Sequence, residues 1–233
     1  MILKILLLSL VSYLLGSIPV GLILVKLRTG KDLRQIESGR TGGTNAGRAA
    51  GFWIGFLTAL LDGLKAAIAV WIARTLLPNQ TWMHAFSPLL AVLGHNYSIF
   101  LAERSENGKL KLRGGAGGAP LVGGAFGIWP PSLLIIVPIG AFILFFIGYA
   151  SITTMSTAVI AIVIFTIRAI WFNSPWQYIL YGVIGEALLV WALRPNIRRL
   201  LNGTERLVGL RAKRQRPPLN SNNHSSSSSV SSS

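Results

Sequence analysis

The chain has 233 residues, of which 52% are hydrophobic and 12% charged, and its 22 Lys and Arg against 7 Asp and Glu give a formal net charge of +15. Its apolar runs reach the roughly 20 helical residues that cross a bilayer, which excludes a soluble globular enzyme and makes this a polytopic membrane protein. There are no cysteines, so disulfides and thiolate metal sites are excluded and the redox compartment stays open.

In chain order, the first predicted span covers about residues 3–26. It has one early lysine and no small-residue cleavage site, which reads as a retained helix rather than a removed signal. Gly16-Ser17-Ile18-Pro19 breaks it, as a packing kink would. Next comes a polar stretch, Ser38-Gly39-Arg40-Thr41-Gly42-Gly43-Thr44-Asn45-Ala46-Gly47-Arg48. Its glycines permit tight turns and close backbone approach, while Thr44, Asn45 and two arginines supply donors for a phosphate. An apolar helix is expected to open just after Arg48, adding its free N–H groups to the same place. The plain alternative is a basic loop needed only for orientation.

The second span, about 50–74, carries Asp62 and Lys65 three apart on one face, where they can pair inside the bilayer as a structural ion pair or as part of a site. The third, about 82–102, contains His95-Asn96-Tyr97-Ser98, and a lone histidine there reads first as a hydrogen-bonded structural group. A basic segment then leads into Arg113-Gly114-Gly115-Ala116-Gly117-Gly118, which opens a short glycine-rich crossing at about 117–129. This run repeats the first loop's arrangement and suits either anion binding or close helix packing. Trp129-Pro130-Pro131 makes a sharp turn, followed by spans at about 132–148, 150–170 and 175–193, the last bearing Glu186.

Charge placement fixes the expected topology. Residues 28–48 carry five Lys or Arg, 103–113 carry four, and the chain from Arg194 onward carries eight, whereas the connections at 78–81, 130–131 and 172–175 carry none. The positive-inside rule puts the three basic segments in the cytoplasm and the amino terminus outside. That explains the net charge without nucleic acid. Parity requires the short fourth crossing, so the fold class is all-α: a polytopic membrane protein with seven transmembrane segments. The membrane domain spans 1–205, and 206–233 is a basic, then Ser-rich, disordered cytoplasmic tail.

Familiar catalytic signatures are absent: no His-x-x-x-x-Asp pair, no Walker A loop, no Gly-x-Ser-x-Gly elbow and no His-Glu-x-x-His helix. Metal ligands are too few to propose a site, and no cofactor is expected. Any reaction would have to rely on binding and orienting a substrate that is already reactive.

Gly16-Ser17-Ile18-Pro19-Val20-Gly21, Asp32-Leu33-Arg34, Ser38-Gly39 through Thr44-Asn45, and Arg48 resemble the amino-terminal motifs of the PlsY family, bacterial membrane glycerol-3-phosphate acyltransferases that use acyl phosphate. The similarity continues through Leu61-Asp62-Gly63-Leu64-Lys65, Leu93-Gly94-His95-Asn96-Tyr97, Gly114-Gly115, Tyr149-Ala150-Ser151, Asn196-Ile197-Arg198-Arg199-Leu200-Leu201 and Gly203-Thr204-Glu205. It implies acyl transfer from acyl phosphate to the 1-hydroxyl of glycerol 3-phosphate, making lysophosphatidate in a bacterial-type inner membrane, with membrane lipid as the remaining partner. The substrate's own phosphate is expected to assist proton removal. Ser38, Arg48, Ser151 and Asn196 match residues that contact the phosphorylated substrate. Arg48 would neutralise charge, the other three would position oxygens, and the amides of Gly39, Gly114 and Gly115 would complete the cradle. Asp62, Lys65 and His95 are supporting.

The chain departs from the family pattern inside these motifs. Ala116 stands where lysine is usual, Pro120 for threonine, Leu193 for histidine, Pro195 for glutamate, Arg40 for asparagine and Gly43 for alanine, and Glu103 to Leu112 is extra charged sequence. The expectation is a divergent acyltransferase. The alternatives are a non-catalytic paralogue that binds lipid intermediates or a membrane partner, and a small-molecule or anion transporter.

Overall fold

The computed structural model describes residues 1–104, 107–208 and 210; the expected Ser-rich part of the tail lies outside the described residues. Pro19 has no N–H, and the first apolar stretch accordingly splits into α1 (Ile2–Ser17) and α2 (Val20–Thr29). The break leaves three carbonyls without helical partners, and distant side chains supply them. Lys65 Nζ donates to Gly16 O at 3.0 Å and to Ile18 O at 2.8 Å, and Ser98 Oγ donates to Ser17 O at 2.5 Å. The kink is therefore a docking point for two later segments.

The expected helix start after Arg48 is displaced. Gly42 caps a separate eight-residue helix, α3 (Gly43–Ala50), and Gly51, at φ +92°, turns the chain into α4 (Phe52–Leu76). Arg48 thus sits in the last turn of α3 rather than ahead of a span. The third predicted span is also shorter than expected: α5 (Thr81–Asn96) ends before Tyr97, and the chain becomes an antiparallel hairpin, β1 (Ser98–Arg104) with β2 (Leu110–Arg113). The architecture is consequently mostly helical with one hairpin, not all-α. Ile99 and Phe100 suit strand as well as helix, and the Asn107-Gly108 pair that precedes β2 favours the hairpin. Arg34 ties the hairpin to the first loop, contacting Asp32 at 2.6 Å and Glu103 at 2.9 Å.

The remaining helices are α6 (Gly118–Ile128), α7 (Ser132–Phe146), α8 (Ala150–Trp171) and α9 (Gln177–Leu201). Among the described residues, four stretches are long and apolar enough to cross a membrane: Ile2–Thr29, Phe52–Leu76, Ala150–Trp171 and Gln177–Leu201. The 11 residues of α6 reach only ~16 Å at 1.5 Å per residue. It is enclosed by the others: Gly63 of α4 and Gly123 of α6 meet backbone to backbone, with no room for a Cβ on Gly123. Its carboxyl end is closed by cations. Arg74 Nη2 donates to Ile128 O at 2.6 Å, and Arg168 lies over the Trp129 ring at 4.2 Å. Val92, Leu121, Ala125, Ile136, Phe165, Tyr181 and Leu189 form the main core around α6. Large apolar side chains such as Leu134, Phe142, Ile170 and Trp171 point outward, which suits lipid as solvent.

Candidate active site

The amino-terminal turns of α3, α6 and α8 open onto one cavity of about 370 Å³, whose wall includes Gly43 and Thr44, Gly118 and Ala119, and Ala150 and Ser151. First-turn N–H groups have no acceptor within their own helix, and the helix dipole places partial positive charge there. Three such ends around one space favour a multiply charged anion. The sequence accounts for two of these starts: Gly42 and Gly117 precede α3 and α6 without a blocking side chain, and Pro120, in the first turn of α6, lacks only an N–H that would be unpaired anyway.

Ser38, Arg48, Ser151 and Asn196, drawn from three separate stretches of the chain, all line this cavity. Ser151 is fully buried, and its Oγ donates to Glu205 Oε2 at 2.5 Å, while Asn196 Nδ2 donates to Glu205 Oε1 at 3.2 Å. Glu205, quoted in the sequence only as part of a motif, is therefore the common acceptor for two candidate side chains. A lone carboxylate at the head of a strongly basic tail was the available signal. Arg40 and Arg199 also line the cavity. Glu37 pairs with Arg206, and Asp62 with Lys65, so among the described residues Arg40, Arg48 and Arg199 face Glu205 as the remaining carboxylate. Burial holds the Arg48 guanidinium below its ordinary pKa; Arg40 is lowered by burial and then by repulsion from Arg199. Cations held this way are ready to take an anionic partner.

Asp62 and His95 form part of the same wall, with His95 Nδ1 3.5 Å from Asp62 Oδ1. Lys65 Nζ is 2.8 Å from that carboxylate oxygen in an ion contact, while its hydrogen bonds go to the α1 break. The trio thus joins the cavity to the kink. Asn45 lines the cavity too, and its Nδ2 donates to Arg40 O at 2.8 Å and Ile36 O at 3.0 Å, so its amide also staples the loop. Thr44 lines the cavity as well.

The glycine pair is placed elsewhere. Gly39, Gly114 and Gly115 line a neighbouring groove that shares Ser38 and Arg40 with the cavity. The Gly39 N–H donates to Ile36 O and the Gly115 N–H to His95 O, both at 2.9 Å, so neither amide is free for a ligand. A side chain on Gly115 would run into the His95 ring. The two basic glycine loops do meet, through Thr41 N donating to Gly114 O at 3.3 Å. Of the sequence departures, Ala116 and Leu193 line the cavity, and Pro195 interrupts α9. Pro195 has no N–H for the Trp191 carbonyl, which instead accepts from Arg194 Nε at 2.9 Å, and the adjacent Ala192 carbonyl accepts from Arg40 Nη2 at 2.5 Å.

A family model described as glycerol-3-phosphate acyltransferase matches residues 6–203. Among named relatives, the glycerol-3-phosphate acyltransferase of Rubrobacter xylanophilus is 38% identical over 207 residues, covering 88% of this chain and 96% of the relative. That of Thermus thermophilus is 36% identical over 204 residues, covering 88% and 95%. The crystal structure of PlsY, an integral membrane glycerol 3-phosphate acyltransferase, in its glycerol 3-phosphate form superposes with a TM-score of 0.77 at 30% identity, covering 91% of this chain and 100% of that one. Its lysophosphatidic acid form gives 0.74 over 88% and 96%. With the membrane-spanning helices and matches that run nearly the whole length of the fold, this chain belongs to the PlsY family of glycerol-3-phosphate acyltransferases.

Proposed function

We propose that this protein transfers an acyl group from acyl phosphate to the 1-hydroxyl of glycerol 3-phosphate, releasing phosphate and forming lysophosphatidate at the inner leaflet of a bacterial-type plasma membrane. The observation that carries the reading is the convergence of Ser38, Arg48, Ser151 and Asn196 with three helix amino termini on one cavity. The charge distribution along the chain supports seven crossings, the amino terminus outside and the cavity facing the cytoplasm. α5, α6 and α7 are the shorter crossings in this arrangement.

Arg48 and the first-turn amides hold the glycerol 3-phosphate phosphate, and Ser38, Ser151 and Asn196 orient its oxygens. The 1-hydroxyl oxygen attacks the acyl carbonyl, forming the ester C–O bond as the anhydride C–O bond breaks and phosphate departs with the electron pair. The hydroxyl proton passes to the substrate's own phosphate. This route suits the cavity because its carboxylates and imidazole are engaged: Glu205 accepts two hydrogen bonds, Asp62 is paired with Lys65, and His95 has Nδ1 toward Asp62 and Nε2 against Gly115. Arg40 takes over the charge of the missing lysine, since it shares the cavity wall with Ala116 and its Nη1 is buried without a hydrogen bond.

A non-catalytic role is the second reading, favoured by the apolar wall that Ala116 and Leu193 present where the family has lysine and histidine. Purified protein reconstituted in lipid with palmitoyl phosphate and glycerol 3-phosphate decides between them. Phosphate release matched by lysophosphatidate supports transfer. No product above a mock preparation, with an authentic relative active alongside, supports the binding role.

A further inference from the structure

We propose that the groove between the hairpin and the last turns of α9 binds the phosphate headgroup of an anionic membrane phospholipid, beside the reaction cavity, with which it shares Ser38 and Arg40. Lys111 and Arg113 come from β2, Arg194 and Arg198 from α9, and Arg40 from the first loop, and no acidic side chain among the described residues lines the groove. Among the described residues only Arg113 has an ion-pair partner there, Glu103 at 2.7 Å. A concentration of cations this uneven selects an anion.

A second observation points to a ligand. Asn96 lines the groove at 4% exposure, and neither atom of its side-chain amide has a hydrogen-bond partner. A buried primary amide without partners is costly, and a phosphate ester oxygen would satisfy its Nδ2 donor, while its Oδ1 lies toward Gly117. The groove also reaches lipid. Trp191 lines it while 56% exposed, with the Arg194 guanidinium stacked 3.4 Å over its ring, an arrangement suited to the boundary between acyl chains and headgroups. On the hairpin, Ile99, Phe100 and Leu110 are exposed beside Lys109 and Lys111, so the same element offers the bilayer apolar side chains and cations together. A lipid anchored by its tails and held by its phosphate matches this layout, and a free phosphate would leave the apolar rim unused.

The experiment uses full-length protein in dodecylmaltoside and in nanodiscs, with phosphatidylglycerol and phosphatidylcholine as probes, and compares wild type with Lys111→Gln/Arg194→Gln/Arg198→Gln. Native mass spectrometry should show wild type retaining phosphatidylglycerol at least tenfold better than phosphatidylcholine, and the triple variant losing about tenfold of that preference, since each basic side chain near an anionic headgroup contributes several-fold. Inorganic phosphate at millimolar concentration should not displace the lipid. Glycerol 3-phosphate and acyl phosphate KM values, measured on the same preparations, should stay within about twofold, which separates this site from the reaction cavity. Equal retention of the two lipids by wild type overturns the proposal, whatever the variant does. So does displacement by inorganic phosphate, or a rise in acyl phosphate KM in the triple variant, which would make the groove a donor subsite.

Discussion

Ser151 and Glu205, 54 residues apart in the chain, are joined by a 2.5 Å hydrogen bond inside the cavity wall. Ser151 is the second residue of α8 and Glu205 lies just beyond α9, so this contact, together with Val208 N donating to Gly148 O at 2.8 Å, fixes where the chain after the last helix sits against the start of the previous one. Because Asn196 donates to the same carboxylate, Glu205 orients both candidate substrate contacts at once.

Glu205→Ala should therefore act through its neighbours. Two polar groups lose their acceptor, at about 1–3 kcal/mol for a buried donor left unpaired, and the glycerol 3-phosphate KM should rise about tenfold while that for acyl phosphate changes little. Glu205→Gln keeps one acceptor oxygen and should lie between. Steady-state kinetics with each substrate varied in turn make the check; equal rises in both KM values would point to general unfolding instead.

Lys65 carries a buried charge with three oxygens around it: Asp62 Oδ1, Gly16 O and Ile18 O. Lys65→Met strips the partner from a carboxylate that is 1% exposed, and breaking such a pair costs about 3–5 kcal/mol. The thermal midpoint in detergent should fall sharply. Adding Asp62→Asn should recover part of the loss but not all, because the Gly16 carbonyl at the α1 break loses its donor and Ile18 O keeps only the Val20 N–H. Full recovery in the double variant would show that the kink does not need the ammonium.

Much of this was legible in the sequence because membrane helices and cationic loops leave one-dimensional signals. Apolar length gave the long helices, and Asp62 and Lys65 at a spacing of three gave their pairing. What escaped is what depends on short-range competition. α3 was hidden because Gly-Thr-Asn-Ala-Gly-Arg has low helix propensity and gains its helix by packing against α4, where Gly43 and Gly47 meet Gly55. The hairpin was read as the end of a span because Ile99, Phe100 and Leu101 continue the hydropathy of α5. The Gly114-Gly115 run was equally open to ligand binding or packing, and the His95 contacts settle its geometry as a close backbone approach to the end of α5.

Gly115→Ala tests that approach. The added methyl group meets the His95 ring, which is held on its other side by Asp62, so neither partner can retreat without moving the cavity wall. Overpacking of this kind costs about 1–3 kcal/mol. The expected result is a lower thermal midpoint together with reduced turnover. Unchanged stability would mean that the loop swings freely and that the glycine is required for ligand access instead.

The sharpest test concerns Ala116 and Arg40, because the two positions share one wall of the cavity and the proposal gives them one job. Returning the lysine with Ala116→Lys should raise kcat/KM about tenfold, less than the 10² to 10³ that a single electrostatic contact can supply at a transition state, since Arg40 already provides part of it. Arg40→Asn alone should lower activity, and it also removes the donor that serves the Ala192 carbonyl next to the Pro195 interruption. In the Arg40→Asn background, Ala116→Lys should then give a larger gain than in wild type, because the two cations no longer compete for one phosphate. A double-mutant cycle reads this coupling directly. Strictly additive effects would separate the two residues, leaving Arg40 as a cap for α9 and this family member working with one phosphate contact fewer than its relatives.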